Sequence, residues 1–128
     1  MKLLLDTHIF IWWVSDPSKL SQQALALCED GTNSLIVSVA SIWEMQIKQQ
    51  LGKLTLNLPL QQLIANQQQT NDVAVLPIGL VHVLALQGLP THHKDPFDRM
   101  LVAQAIVEQA ILLSADSVFA AYPVQVLG

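Results

Sequence analysis

The sequence predicts an α/β domain with a mostly parallel central sheet, and three observations predict it. Short apolar runs recur along the chain, each closed by a polar residue or a turn. Segments with helical apolar spacing separate those runs. Two of the runs, Lys2–Leu5 and Ile111–Ser114, are followed closely by an aspartate, Asp6 and Asp116. Open parallel sheets carry their sites just beyond the carboxyl ends of their strands.

The elements follow in order. Lys2–Leu5 reads as a buried strand, and Ile9–Val14 as a short helical turn. Ser21 caps a helix running to about Asp30, with Ala24, Leu25, Leu27 and Cys28 as its apolar stripe. Ser34–Ser38 is a second strand. Ser38 or Ser41 caps the next helix, which runs to about Leu51 and stops at Gly52. Pro59 opens a further helix that ends in Gln67-Gln68-Gln69. Val73–Ile78 is a third strand, weakened at its end by Pro77, and Gly79–Gln87 is helical. Asp95-Pro96-Phe97-Asp98 has the form of an N-cap, an N1 proline and an N3 acid, opening a helix to about Ala110. Ile111–Ser114 is a fourth strand and Val124–Leu127 a fifth. With 128 residues, no repeat and no linker, residues 1–128 form a single domain.

Composition narrows the class. The charged fraction is 12% against a hydrophobic fraction of 52%, well under the roughly 25% charged residues of ordinary soluble domains. Such a surface calls for a cover, most simply a second subunit or a partner protein. No apolar run approaches the ~18 residues of a membrane span. Asp6 and His8 interrupt the signal-like start before an apolar core of ~7 residues forms, so the chain is expected in the cytoplasm. The single cysteine, Cys28, excludes an internal disulfide and reads as a buried core thiol. The net charge of −4 is awkward for a nucleic-acid enzyme. Setting aside Asp6, Glu44, Asp98 and Asp116 leaves six acids against six basic residues. The excess can therefore sit in one site, although removing any four acids balances the count.

Those four acids occupy unusual positions. Asp6 follows three leucines, and Glu44 lies between Trp43 and Met45. Asp98 is the first-turn acid of an otherwise apolar helix, and Asp116 follows Leu112-Leu113-Ser114-Ala115. Acids beside a core are costly unless paired, protonated or bound to metal. Converging carboxylates suit a hard divalent cation, Mg²⁺ or Mn²⁺. The chemistry that follows is phosphodiester hydrolysis by water, with no nucleophilic side chain. Glu44 or Asp116 orients or deprotonates that water; the residues do not choose between them.

The chain resembles the PIN domains, specifically the VapC-like toxin ribonucleases of type II toxin–antitoxin pairs. Four segments carry the resemblance: Leu3-Leu4-Leu5-Asp6-Thr7-His8; Ser41-Ile42-Trp43-Glu44-Met45; His93-Lys94-Asp95-Pro96-Phe97-Asp98-Arg99 with Leu101-Val102-Ala103-Gln104-Ala105; and Ser114-Ala115-Asp116. Each alone is a weak signal; the ordered set is specific. The resemblance implies a PIN-like three-layer sandwich, its sheet flanked by helices. It implies a Mg²⁺- or Mn²⁺-dependent endoribonuclease, with RNA as substrate and Asp6, Glu44, Asp98 and Asp116 as catalytic metal ligands. It also implies a homodimer held inactive by a cognate antitoxin protein, and an amphipathic antitoxin segment would need a groove.

Other residues divide between roles. Asp95 is the helix cap that positions Asp98. Arg99, the only arginine, holds a phosphate or pairs with Asp95. Thr7, His8 and Ser114 flank site acids and can orient ligands or hold a strand end. His92 and His93 read as solvated, and His82 as a satisfied helix histidine. Trp12, Trp13 and Trp43 read as core or interface packing before base stacking. Two rival readings remain. A phospho-accepting receiver domain fits the length, but Asp6 has no adjacent acid and the third strand ends in Pro77-Ile78-Gly79. A PIN-like module that binds RNA or protein without cutting is the other, and the net acidity is its support.

Overall fold

The computed structural model describes residues 1–91 and 94–128. Its centre is a five-stranded sheet in the order β3-β2-β1-β4-β5, parallel throughout. The strands are β1 (Lys2–Leu5), β2 (Ser34–Ser38), β3 (Ala74–Leu76), β4 (Ile111–Leu113) and β5 (Val126–Leu127). The helices are α1 (Thr7–Ser15), α2 (Gln22–Glu29), α3 (Val39–Gln50), α4 (Leu60–Thr70), α5 (Leu80–Ala85) and α6 (Pro96–Glu108). The three-layer reading of the sequence therefore stands, with the sheet parallel at every pairing.

Strand periodicity builds the layers. Leu3, Leu5, Leu35, Val37 and Leu113 face a cluster containing Ile9, Phe10, Met45 and Leu63, from α1, α3 and α4. Their neighbours Leu4, Ile36 and Leu112 face a second cluster with Leu101, Val102 and Phe119. The period of two sends successive side chains to opposite faces. Leu3, Leu4 and Leu5 are all fully buried, and each stabilises the fold by about 1.5–3 kcal/mol relative to exposure. This is the near-continuous apolar run expected of a strand covered on both faces.

Several boundaries move for local reasons. The Ile9–Val14 turn is a full helix from Thr7, because Asp6 caps it by accepting from the Ile9 amide at 2.8 Å. Ser38, not Ser41, caps α3. Pro59 is the cap of α4 and not its first residue. The third strand shrinks to Ala74–Leu76, since Pro77 has no amide to extend the ladder. The fifth strand starts at Val126, because the Val124 amide turns back to the Tyr122 carbonyl at 2.8 Å. Gly79–Gln87 divides into α5 and a 3-10 turn, Leu86–Gly88. At its end α6 stops at Glu108, where Gln109 adopts φ 53.

Cys28 is buried, and burial pushes its thiol up to about 11, as a core cysteine should be. His82 is a buried, satisfied histidine. It accepts from the Gly79 amide at Nδ1, 2.9 Å, and meets Glu108 through Nε2 at 3.0 Å. His92 and His93 lie outside the described residues.

The order of the strands fixes where chemistry can happen. The chain steps from β1 to β2 to β3 in one direction, then returns to the other side of β1 as β4 and β5. The reversal opens a crevice beyond the carboxyl ends of β1 and β4, the usual ligand position in such sheets.

Candidate active site

Asp6 and Asp116 line that crevice. A cleft of about 260 Å³ is bounded by Asp6, His8, Trp12, Ala115 and Asp116. Asp6 is held from both sides of the switch point. Its amide donates to the Leu113 carbonyl of β4 at 3.0 Å, and one carboxylate oxygen caps α1. The other oxygen accepts the Ser114 hydroxyl. Ser114 Oγ in turn accepts the Asp116 amide at 3.0 Å, so one serine ties the two acids together.

Asp6 is only 5% exposed. Burial raises its carboxyl above the ordinary value, opposed by the bonds from Ser114 and Ile9 and by His8, and aided by the nearby charge of Asp116. Among the described residues no lysine, arginine or histidine forms an ion pair with it. A buried carboxylate of this kind is costly as the bare anion and is relieved by a proton or a cation. Asp116 is exposed and also caps a 3-10 turn, Ser117–Ala121, accepting from the Val118 amide at 3.0 Å. The structural and the chemical reading of this acid are thus compatible.

Glu44 and Asp98 are not among the residues that line this cleft, and other contacts position them. The buried Thr7 hydroxyl donates to Ser41 Oγ at 3.0 Å, which pins α3 against the start of α1. Glu44 lies one turn further along α3, on the Ser41 side of the helix. Trp43 and Phe97, the residues just before Glu44 and Asp98, meet edge to face at 5.1 Å and 80°. That contact joins α3 to the first turn of α6. Asp95 caps α6, accepting from the Phe97 and Asp98 amides at 2.9 and 3.0 Å. Asp98 is half-buried in that first turn. Glu44 is half-buried and pairs with Lys48 at 3.4 Å. Among the described residues no three His, Cys, Asp or Glu side chains converge closely enough to enclose a metal ion. The donors are all carboxylate oxygens, the right chemistry for a hard cation, and two of them share one cleft.

The remaining residues fall into place around these. Arg99 donates to the Pro90 carbonyl at 2.8 Å and approaches the Tyr122 hydroxyl at 3.5 Å. Trp12 and Trp13 pack in part on the core, whereas Trp43 is 56% exposed and stands on the surface. Three residues take roles here that the sequence does not assign them. Ser41 was legible only as a helix cap, because its partner Thr7 is distant in sequence. Lys48 carries a usable signal, four residues after Glu44 on one helix. Trp12 joins the cleft because α1 starts at Thr7, which sets it on the same side as His8.

Comparison with known proteins bears on the family and the fold. The family model described as PIN domain matches residues 3–125. Ribonuclease VapC22 of Mycobacterium tuberculosis is 29% identical over 118 residues, covering 89% of this chain and 86% of that protein. Among solved structures, VapBC2 from Rickettsia felis bound to a promoter DNA fragment superposes with a TM-score of 0.72 at 15% identity, covering 99% and 98% of the two chains. FitAcB from Neisseria gonorrhoeae gives a TM-score of 0.62 at 15% identity, covering 98% and 96%.

Proposed function

The chain belongs to the PIN domain family, and from that premise we propose that it is a divalent-metal-dependent endoribonuclease, the toxin of a toxin–antitoxin pair. The observation that carries the reading is the placement of Asp6 and Asp116 in one cleft at the switch point of the sheet. The likeness to VapC22, named a ribonuclease, supports RNA as the substrate. The solved VapBC complexes of similar fold support a small antitoxin as the partner.

Asp6 and Asp116 would hold the cation, Mg²⁺ or Mn²⁺, with Glu44 and Asp98 completing the acidic set. When bound, such an ion polarises the scissile phosphate and lowers the pKa of an attacking water. The protein's own contribution is positional. Ser114 and the Ile9 amide fix both oxygens of Asp6, so its orientation is set before any ligand arrives. Thr7 and Ser41 lock α1 to α3 and so set the distance of Glu44 from Asp6. Asp95 does the same for Asp98 through the first turn of α6. Lys48 compensates the charge of Glu44 and must share it with any cation that enters.

The surface supports the partners. Leu80, Val81, Val83 and Leu84 of the short helix α5 are exposed, the first at 73%. An apolar patch on a sparsely charged chain favours a homodimer. No helix among the described residues is long and apolar enough to cross a membrane, in keeping with a toxin that works in the cytoplasm. The deciding experiment is RNA cleavage by the purified chain with Mg²⁺ or Mn²⁺. Cleavage that persists at full rate in EDTA, or in Asp6→Asn, overturns the proposal.

A further inference from the structure

We propose that His8 and Trp12 form a base-binding subsite for single-stranded RNA, which seats an unpaired base beside the phosphate addressed by Asp6 and Asp116. The inference deepens the ribonuclease reading and rests on it. His8 and Trp12 lie four residues apart on α1, hence on one side of the helix. Their ring centroids are 5.8 Å apart at an interplanar angle of 46°. Both line the cleft that holds the two acids. His8 is exposed, while Trp12 packs in part on the core, which makes it a rigid wall.

The subsite answers a difficulty of charge. The chain has only six lysine and arginine residues and a net charge of −4. Affinity through phosphate contacts is therefore small, because that term scales with the number of phosphates neutralised. Stacking on an aromatic side chain needs no charge and is worth roughly tenfold or more in affinity per base. The acids would repel a phosphate until a cation offsets them, and an aromatic wall beside them supplies attraction that does not depend on the cation. Register comes with it. Asp6 caps α1 through the Ile9 amide, so the carboxylate and the two rings are fixed to one helix end. A base in a duplex has both faces covered by its neighbours, so the subsite selects unpaired RNA.

The test uses the full chain, His8→Ala, Trp12→Ala and Trp12→Phe, with a fluorescent mixed-sequence oligoribonucleotide. Binding is read by anisotropy in EDTA, and cleavage kinetics in Mn²⁺. Trp12→Ala should weaken binding and raise KM about tenfold, with kcat little changed. Trp12→Phe should restore most of the loss, and His8→Ala should show a smaller one. Annealing the oligonucleotide to its complement should abolish the difference between wild type and Trp12→Ala. If Trp12→Ala fails to fold, the exposed His8→Ala and the conservative Trp12→Phe carry the comparison. Unchanged binding and KM in the folded variants, as expected if the cleft serves a protein partner instead, overturn the subsite and leave the nuclease reading intact. Wild-type binding that depends on Trp12, without cleavage of any RNA, overturns the nuclease reading and supports the subsite. Absence of both overturns both.

Discussion

Ser114 donates its hydroxyl to the buried carboxylate of Asp6 across a separation of 108 residues. The bond exists because β1 and β4 are parallel neighbours, with Leu5 opposite Leu113. The same oxygen of Ser114 accepts the Asp116 amide. One small side chain therefore organises both acids at the end of the sheet.

Replacing it tests that role. Ser114→Ala should cost about 1–3 kcal/mol, because it orphans a buried acceptor and a backbone amide together. It should also raise the Asp6 carboxyl further, since the lost bond favours the charged form. Urea unfolding and an NMR titration of the Asp6 side chain check the two parts. A variant as stable as wild type, with an unmoved titration, contradicts the relationship.

The raised carboxyl of Asp6 has a consequence for stability. A folded-state pKa above the ordinary 3.8 means that the fold favours the protonated acid. Stability in EDTA should thus fall as pH rises from about 3.8 through the folded value, and stay reduced at neutral pH. Asp6→Asn removes the buried charge and keeps a capping oxygen. Its melting temperature at pH 7 in EDTA should exceed that of wild type by a few degrees, while cleavage falls by more than about a hundredfold, the upper range for loss of an outer-sphere partner. Thermal melts with and without Mn²⁺ measure this, and Mn²⁺ should raise the melting point of wild type alone.

Lys48 competes with a cation for Glu44. Lys48→Gln should tighten Mn²⁺ binding several-fold, read by calorimetry. Its effect on folding should stay within about 0.5 kcal/mol, the size of an i,i+4 helix pair. Weaker Mn²⁺ binding in this variant would place Glu44 outside the metal set.

The His82–Glu108 contact holds α5 against α6. His82→Ala should cost about 2–4 kcal/mol through a cavity and an unpartnered Gly79 amide. His82 holds the Glu108 carboxyl below its ordinary range. That contribution is present above the unfolded value and is lost as pH falls through the lower folded one. Denaturation midpoints across acidic pH should therefore converge for wild type and Glu108→Gln.

The exposed residues of α5 supply a test of assembly. Leu80→Asp with Leu84→Asp should convert the protein to a single-copy species in light scattering, with the fold retained by circular dichroism. A wild-type chain that is already a single copy at high concentration rules out the homodimer.

Much of the fold was legible because apolar periodicity and punctuation are local signals. Ser34–Ser38 was bounded by its apolar run between serines and by the preceding turn, and the Asp95-Pro96 start of α6 by cap chemistry. The ends set by backbone pairing were less legible. Whether Val73 or Val124 joins a ladder depends on a neighbouring strand, which the local sequence does not contain.

The site divides along the same line. Sequence alone determined that Asp6 and Asp116 each follow an apolar strand and that Asp98 follows its own cap; of these Asp6 is buried, Asp98 half-buried and Asp116 exposed. It also determined the parallel architecture that collects strand ends at one edge. Only the tertiary structure decided that Asp6 and Asp116 share a cleft with His8 and Trp12, and that Ser114 bridges the two acids. Those relations come from strand order and helix docking, where packing brings distant residues within hydrogen-bond reach. The sequence lists the donors of such a site, but the distances between them arise only when the sheet reverses direction at β1.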